Sequence, residues 1–296
     1  MSHESQNAIH SQIQPGSVHP THVEAISGSH LYVSLSELIL DKLFYHPAVN
    51  TDDEELSDTE RDALHAIVGQ VEPGVHLVES LVSEIEAAIQ PAHQAIRVAL
   101  SDADSRSYFA LIGGHTSEKE EHNPLMGTRG VSRFASSCYS PAFVLECEVI
   151  KRLRKNGHDI QIVVPFVRAL SDAAKIIDLL AEQGLPRGLE GLKVLYSVNV
   201  PSAALLSERL LHYFDGLVID VDSLTEFTFG VDKTNQGLTP LFDPENEAVL
   251  TLIDTAVHAA SSSSKPVLLL IQALAEYPKL QDYIVEHQGI DVAVTA

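Results

Sequence analysis

Basic residues are scarce in this chain of 296 amino acids. It carries 19 Lys and Arg side chains against 41 Asp and Glu, so its formal net charge at pH 7 is −22. Proteins that bind nucleic acids or anionic membranes usually carry charge of the opposite sign. The composition therefore argues against both partners. Any anion site must be local, built from a few arginines and backbone N–H groups.

Cysteine is also rare, with Cys138 and Cys147 as the two examples. Two cysteines provide neither a CxxC metal motif nor a disulfide framework, and their scarcity is typical of a reducing compartment. The N-terminal segment has no basic stretch followed by an apolar one, so no signal peptide is predicted. The longest apolar runs, such as Pro266–Ile271, are too short to span a bilayer. We therefore expect a soluble, cytoplasmic protein.

Several common catalytic motifs are missing as well. The chain has no GxSxG nucleophile elbow, no Walker phosphate loop and no GxGxxG dinucleotide fingerprint. Its 15 histidines are scattered, and they form no HxH or HExxH metal pattern. No local motif of these kinds assigns a reaction to the chain.

What the sequence does contain is an alternation of short apolar runs with longer amphipathic segments. Hydrophobic residues make up 45% of the chain, enough for a large core. Several of the short runs lack polar alternation, as do strands that are covered on both faces. The predicted strands are Ser11–Gln14, Leu31–Leu35, Ala95–Leu100, Leu125–Arg129, Ile160–Phe166, Leu192–Val198, Leu217–Val221 and Val267–Ile271, with a further short run at Ile290–Val294.

Helical periodicity marks the segments between these runs. The predicted helices are Thr59–Val71, His76–Ile89, Pro141–Lys155, Ser171–Gln183, Ala203–Tyr213, Glu245–Ala260 and Leu280–His287. Strands that alternate with helices predict an α/β fold of the (β/α)8 TIM-barrel type, which fits a single domain over residues 1–296. The ligand site of such a barrel lies at the C-terminal strand ends. Those ends carry Gly16, Ser36–Glu37, Ser101–Asp102, Arg129, Arg168, Asn199, Asp220–Ser223 and Gln272.

A longer motif occurs at Asn123–Phe134, which reads NPLMGTRGVSRF. It resembles the NPMLGxRGxSR signature of the phosphoenolpyruvate synthase family. The resemblance is to the family's C-terminal phosphoenolpyruvate/pyruvate-binding TIM barrel and covers nearly the whole chain. The family's ATP-grasp and phosphohistidine domains have no counterpart, so a stand-alone barrel is expected. Further matching stretches follow in the family's order at Val163–Leu170, Gly191–Glu208, Tyr213–Lys233 and Leu241–Val249.

The resemblance implies a transferase chemistry in which a phosphoryl group moves between a carrier histidine and pyruvate. In the family, a Glu and an Asp hold a magnesium ion on the pyruvate oxygens, arginines stabilise the phosphoryl group, and a cysteine handles the methylene proton. In this chain the Glu position falls on Asn199, and the Asn-Asp pair falls on Asp222–Ser223. Two carboxylate ligands are thus replaced by an amide and a hydroxyl, and a hard divalent cation would bind weakly.

Other functional positions of the family are also replaced. The Arg of the second strand falls on Glu37, that of the third strand on Ala99, and a later Arg becomes Lys233. The cysteine position falls on Leu270, and Arg129 alone persists plainly among the phosphate-binding arginines. We therefore expect a pseudoenzyme, either a non-catalytic protein that binds a small carboxylate or phosphate ligand or a regulatory protein.

The candidate ligand-binding residues are Arg129, Arg133, Glu37, Asn199, Asp222, Ser223 and Gln272, and no residue is assigned a catalytic role. Arg129 is expected to clamp an anion, because Arg binds carboxylate or phosphate in a bidentate way. A structural ion pair is the alternative for Arg129. Arg133 and Arg168 are expected to bridge neighbouring loops, and Arg133 is also kept among the ligand candidates. Glu37 is expected to pair with Arg129 and to fill the vacated phosphate pocket.

Three residues are candidates for a relocated metal site, namely Asp220, Asp222 and Asn199. Mg²⁺ would be their cofactor, and solvated acidic loop residues are the alternative reading. Two alternative functions stay open: a metal-dependent lyase or aldolase acting on an oxo-acid, and the barrel subunit of a split phosphoenolpyruvate synthase. The family's barrel also forms a dimer interface, so the resemblance implies a homodimer.

Overall fold

The computed structural model describes residues 8–21, 28–287 and 289–295. Eight parallel strands form one sheet in which every strand pairs with its neighbour in sequence. The first and last strands also meet, where the Gly16 N–H donates to the carbonyl of Val292 at 2.6 Å, so the sheet nearly closes into a barrel. The strands are β1 Ser17–His19, β2 His30–Ser34, β3 Ala95–Ala99, β4 Ile160–Val164, β5 Val194–Val198, β6 Leu217–Asp220, β7 Val267–Gln272 and β8 Ile290–Thr295.

Helices connect the strands and surround the barrel. None of the helices within the described ranges combines the length and the apolar character that a membrane crossing requires. The α-helices are α1 Leu35–Leu38, α2 Asp58–Val68, α3 Pro73–Ala88, α4 Ser105–Phe109, α5 Gly114–Ser117, α6 Val131–Phe134, α7 Ser140–Lys155, α8 Leu170–Glu182, α9 Pro201–Leu205, α10 Ser207–Leu210, α11 Val221–Phe229, α12 Glu247–Ser262 and α13 Pro278–Glu286.

The predicted (β/α)8 fold is confirmed, but two of the predicted strands are wrong. Ser11–Gln14 does not form a strand, because a local turn in which Ile13 N–H donates to the His10 carbonyl precedes β1. Leu125–Arg129 is also not a strand. Its first residues belong to the 3₁₀ turn Pro124–Met126, which begins at a proline and ends at a glycine. The short run at Ile290–Val294 takes the eighth strand position instead.

The predicted helices are present with shifted ends, apart from two differences. Ala203–Tyr213 is divided between α9 and α10, two short helices that meet at Leu206. The segment after β6 turns into a helix at Val221, because the Asp220 carboxylate accepts the Ser223 N–H and caps α11. A strand that continues to Val221 was predicted there, so α11 was missed.

The barrel interior is filled by side chains from alternating strand positions. Each strand sends every second residue inward, and the larger apolar cluster lies between the strands and the outer helices. Val18 and Leu270 pack against the top of the interior layer and separate it from the strand ends. The interior layer consists of Tyr32, Ala99, Val163, Leu195, Val218, Leu268 and Ala293.

Candidate functional site

A cavity of about 220 Å³ opens at the C-terminal ends of the strands. This is the edge where the fold predicts a ligand site. Its floor is apolar and its wall is polar, with five carboxyl side chains against two cationic ones. The lining residues are Val18, Tyr32, Ser34, Glu37, Asp102, Arg129, Asp220, Asp222, Ser223, Glu226, Lys233, Leu270, Ile271 and Gln272.

Glu37 stands at the rim of this cavity. The Ser34 side chain ends β2 and accepts the Glu37 N–H at 3.3 Å, so Glu37 lies in the first turn of α1. Within the described residues, its carboxylate has no hydrogen bond and no ion pair. The Glu37 side chain is exposed at the entrance of the cavity. Its pKa is nevertheless raised to about 7, and desolvation by neighbouring groups is the largest cause. The negative charges of Asp102, Asp41 and Asp220 contribute to this rise, and Lys233 opposes it.

Asp102 lies beside Glu37, beyond the end of β3. Its carboxylate accepts a short hydrogen bond from the Ser36 hydroxyl. Burial raises the pKa of Asp102, although Arg129 and the Ser36 hydrogen bond favour the charged form. Two carboxyl groups on the β2–β3 side of the cavity therefore hold protons more tightly than ordinary acidic side chains do.

Arg129 does not form the expected pair with Glu37. Its Nε donates to the backbone carbonyl of Asp102 at 2.9 Å, and its guanidinium lies 4.2 Å from the centre of the Phe166 ring. No ion pair joins Glu37 to Arg129, so the cavity is not neutralised in the predicted way. The residue lies on a loop and not at a strand end, because Leu125–Arg129 is not extended.

The loop around Arg129 is held by packing and backbone contacts. Arg168 donates to the Arg129 carbonyl at 3.1 Å and to the Gly127 carbonyl at 3.4 Å. Gly130 has a φ of 55°, and a Cβ at this position would collide with the carbonyl oxygen of Pro165. Loop bridging was the role expected of Arg168, and its contacts are of this kind. The loop can therefore be understood as a structural element, independently of any reaction.

The Asp220 carboxylate accepts three hydrogen bonds from protein groups. The donors are the Ser223 N–H at 3.0 Å, the Ser223 hydroxyl at 2.6 Å and the Asn199 amide at 2.8 Å. Asn199 is 1% exposed and lies behind the cavity wall. Its other amide atom accepts the N–H of Phe166, which has a left-handed φ of 52°. Asn199 thus supports a strained turn and does not face a ligand.

Lys233 neutralises much of the opposite wall. Its ammonium donates to Asp222 at 2.9 Å and to Gln272 at 3.4 Å, and its backbone N–H donates to Glu226 at 2.8 Å. Burial lowers the pKa of Lys233, but Asp222, Asp220 and Glu226 together outweigh it and the pKa rises. Burial raises the pKa of Asp222 and Glu226, against the opposing effect of Lys233.

Arg133 lies outside the cavity lining. It is 2% exposed and forms a short ion pair with Glu118. Its guanidinium is 4.4 Å from the Tyr108 ring centre and 4.2 Å from that of Tyr139. This arrangement matches the expected loop bridging and gives Arg133 a structural role. The remaining predicted ligand residues, Glu37, Arg129, Asp222, Ser223 and Gln272, do line the cavity.

The residues proposed for a relocated metal site do not fit a Mg²⁺ ion. Asp220 is occupied by three protein donors, Asp222 faces the Lys233 ammonium, and Asn199 lies behind the wall. Among the described residues, no group of three His, Cys, Asp or Glu side chains converges as a metal site would require. Mg²⁺ prefers near-octahedral oxygen ligands, which this wall does not present.

Tyr32 and Glu226 are among the lining residues that were not singled out from the sequence. Tyr32 precedes Ser34 by two positions on β2, so both side chains face the barrel interior. Glu226 follows Asp222 by four positions on α11, which brings both carboxylates to one helix face. The strand register would have revealed Tyr32, and recognition of the Asp220 cap would have revealed Glu226.

Comparisons with known proteins place the chain in a family. Residues 58–286 match the family described as PEP-utilising enzyme, PEP-binding domain. The chain is 38% identical over 240 residues to phosphoenolpyruvate synthase of Pseudomonas aeruginosa and 36% identical over 212 residues to that of Escherichia coli. These matches cover 79% and 71% of this chain but 30% and 26% of the relatives. The chain therefore spans less than a third of their length.

Solved structures with a similar fold are more distant. Malate synthase of Haloferax volcanii, in a magnesium and glyoxylate complex, is 12% identical with a TM-score of 0.46; the match covers 91% of this chain and 63% of that one. Such distant likenesses carry no argument about chemistry. The family match and the relatives in sequence are sufficient for one conclusion: this chain belongs to the PEP-utilising enzymes and corresponds to their PEP-binding domain.

Proposed function

We propose that this barrel does not carry out phosphoryl transfer and acts as a non-catalytic binding or regulatory protein. The observation that carries the proposal is Glu37, an unpaired carboxylate at the rim of the cavity. By the family resemblance, an arginine would stand there against a phosphate. Phosphoryl transfer depends on cations that stabilise the charge of the transferring group, and Glu37 reverses that charge.

The rest of the lining supports the same conclusion. Arg129 and Lys233 are the cationic side chains of the cavity, and the Lys233 ammonium already binds Asp222. Five carboxyl groups surround them. A phosphoenolpyruvate anion would enter a site of its own sign, so the expected small-anion ligand is disfavoured as well.

Proton transfer to a pyruvate carbon also lacks an obvious donor. The position of the family's cysteine is occupied by Leu270, which lies at the cavity floor and packs on the apolar interior layer. An aliphatic side chain neither gives nor takes a proton. The two alternative functions, a split phosphoenolpyruvate synthase subunit and a metal-dependent lyase, each need groups that this lining does not supply.

The first test measures ligand binding and enolisation. We expect isothermal titration with phosphoenolpyruvate and with oxalate, an enolate mimic, to give no saturable heat with or without Mg²⁺. We also expect pyruvate methyl protons to exchange with D₂O no faster than in buffer, as followed by proton NMR. The exchange assay reports the chemistry of a barrel alone and needs no phosphohistidine domain.

A full-length phosphoenolpyruvate synthase serves as the positive control in both assays. Magnesium-dependent binding or exchange in this chain that disappears in Arg129→Ala would contradict the proposal. It would show that the ancestral site still operates despite Glu37 and Leu270.

A further inference from the structure

The cavity is lined by a polar group, the Tyr32 hydroxyl, which opens into it from a largely buried ring and has no partner among the described residues. Tyr32 is 6% exposed and lines the cavity floor. No residue in the described part of the chain forms a hydrogen bond with its phenol oxygen. A phenol hydroxyl can both donate and accept a hydrogen bond. The phenol is therefore available to an occupant of the cavity.

Glu37 and Asp102 lie on one side of the barrel, whereas on the other side Asp222 Oδ1 also lacks a partner but is itself buried. Glu37 follows β2 and Asp102 follows β3, and these strands are hydrogen-bonded neighbours. Among the described residues, neither oxygen of Glu37 forms a hydrogen bond, and the Asp102 carboxylate accepts one from the Ser36 hydroxyl. Tyr32 is on β2, between these carboxyl groups and the floor.

The carboxyl groups on the opposite side of the barrel already have protein donors. Asp222 and Glu226 belong to α11, between β6 and β7, and both contact Lys233. Asp220 is held by Ser223 and Asn199, so Glu37 and Asp102 are the described lining carboxyl groups that accept no hydrogen bond from this side of the barrel. One cation near them, Arg129, directs its Nε to a backbone carbonyl.

We propose that this cavity binds a small molecule with a primary ammonium group, which donates hydrogen bonds to Glu37, Asp102 and the Tyr32 oxygen. The inference rests on the binding role proposed above and names the class of ligand. An ammonium group has three donors and no acceptor, which complements three acceptors. A divalent cation would need more convergent oxygen ligands, and the described carboxylates do not supply them.

The size of the cavity limits the rest of the ligand. About 220 Å³ is less than the roughly 300 Å³ at which typical small-molecule sites begin. The ligand is therefore an amine of a few carbon atoms. Arg129 Nη2 has no hydrogen-bond partner in the described structure, so it is available to bind a hydroxyl or carboxylate at the other end of such a molecule.

Three probes of nearly equal shape test the inference, namely ethanolamine, ethylene glycol and glycolate. They are cationic, neutral and anionic. We expect saturable ethanolamine binding at pH 8 in protein-observed NMR titrations, and no saturable shifts with the other two. Glu37→Gln should weaken ethanolamine binding by about tenfold or more, and Tyr32→Phe should weaken it less.

Glu182→Gln is the matched control, because Glu182 is exposed at the end of α8 and away from the cavity. Its affinity for ethanolamine should equal that of the unaltered protein. Stronger binding of glycolate than of ethanolamine, binding of Mg²⁺ alone, or unchanged affinity in Glu37→Gln would overturn the inference. If no probe binds and phosphoenolpyruvate also fails to bind, the ammonium inference falls and the non-catalytic proposal stands.

Discussion

Glu37 ionises at a higher pH in the folded barrel than an ordinary glutamate does. Its pKa rises from 4.5 to about 7, because of desolvation and then of nearby carboxylates. Between these two pH values, the folded state holds a proton that the unfolded state has released. The free energy of unfolding therefore falls as the pH rises through this window.

Glu37→Gln should remove this pH dependence. We expect the variant to lose less thermal stability than the unaltered protein between pH 5 and pH 8, by about 1–2 °C in Tm. The effect is small because the carboxylate is exposed. Differential scanning fluorimetry across this range is the measurement. A Glu37→Gln curve parallel to those of the unaltered protein and of Glu182→Gln would argue against the raised pKa.

The residues at the strand ends were the predictable part of the site. Asp220 and Gln272 follow from a simple rule, since parallel strands deliver their C-terminal ends to one edge. Arg129 lines the cavity from a loop and not from the strand that was predicted for it. The contacts of these side chains were not predictable. Sequence spacing does not show that Arg129 turns to a backbone carbonyl or that Lys233 takes Asp222 as its partner. Such choices depend on distances of a few ångströms between segments remote in sequence.

At the scale of elements, a buried polar cluster joins several short helices above the barrel. Arg133 of α6 pairs with Glu118, which follows α5, and lies over the rings of Tyr108 and Tyr139. His46 also contacts Glu118, at 2.9 Å between Nε2 and Oε1. The cluster connects segments that have few apolar residues of their own, so we expect its charges to be important for stability.

Arg133→Met should destabilise the fold strongly. The change leaves the Glu118 carboxylate buried without its cation, and breaking a buried pair costs about 3–5 kcal/mol. Arg152→Met is the matched control, because Arg152 forms half-exposed pairs on the outer face of α7 and should cost less than about 1 kcal/mol. Urea unfolding followed by circular dichroism measures both. Equal midpoints would show that the buried pair contributes little.

Periodicity predicted the long elements well and the short ones poorly. α3 and α7 each have 16 residues, enough turns for the apolar spacing to be recognised. β1 has three residues and α11 begins directly at the end of β6. The position of β1 depends on its pairing with β2, and that of α11 depends on the carboxylate that caps it. The spacing of apolar residues along the sequence gives information on neither.

At the scale of the whole molecule, the formal net charge of −22 is the dominant property. Like charges repel in the compact state and are farther apart in the unfolded chain. Salt screens this repulsion, with a Debye length of about 10 Å at 0.1 M. The folded barrel should therefore gain stability with added salt.

Thermal unfolding at increasing NaCl concentration measures this gain. We expect Tm at pH 8 to rise by about 2–4 °C between low salt and 0.3 M NaCl. At pH 5.5 the net charge of the chain is less negative, because histidine as a residue type gains positive charge below pH 6.5, so the rise should be smaller. A Tm that falls with salt at pH 8 would mean that attractive ion pairs outweigh the general repulsion.

The packing of the loop around Gly130 affects how a sequence search would classify this protein. The backbone of Gly130 lies against Pro165, and Arg168 holds the carbonyls of the same loop. Replacing these residues would disturb folding even in a barrel that catalyses nothing. Natural selection for a folded chain would then preserve the signature after its reaction has been lost. A motif search of genomes would count such chains as enzymes, whereas the residue at position 37 would separate the two groups.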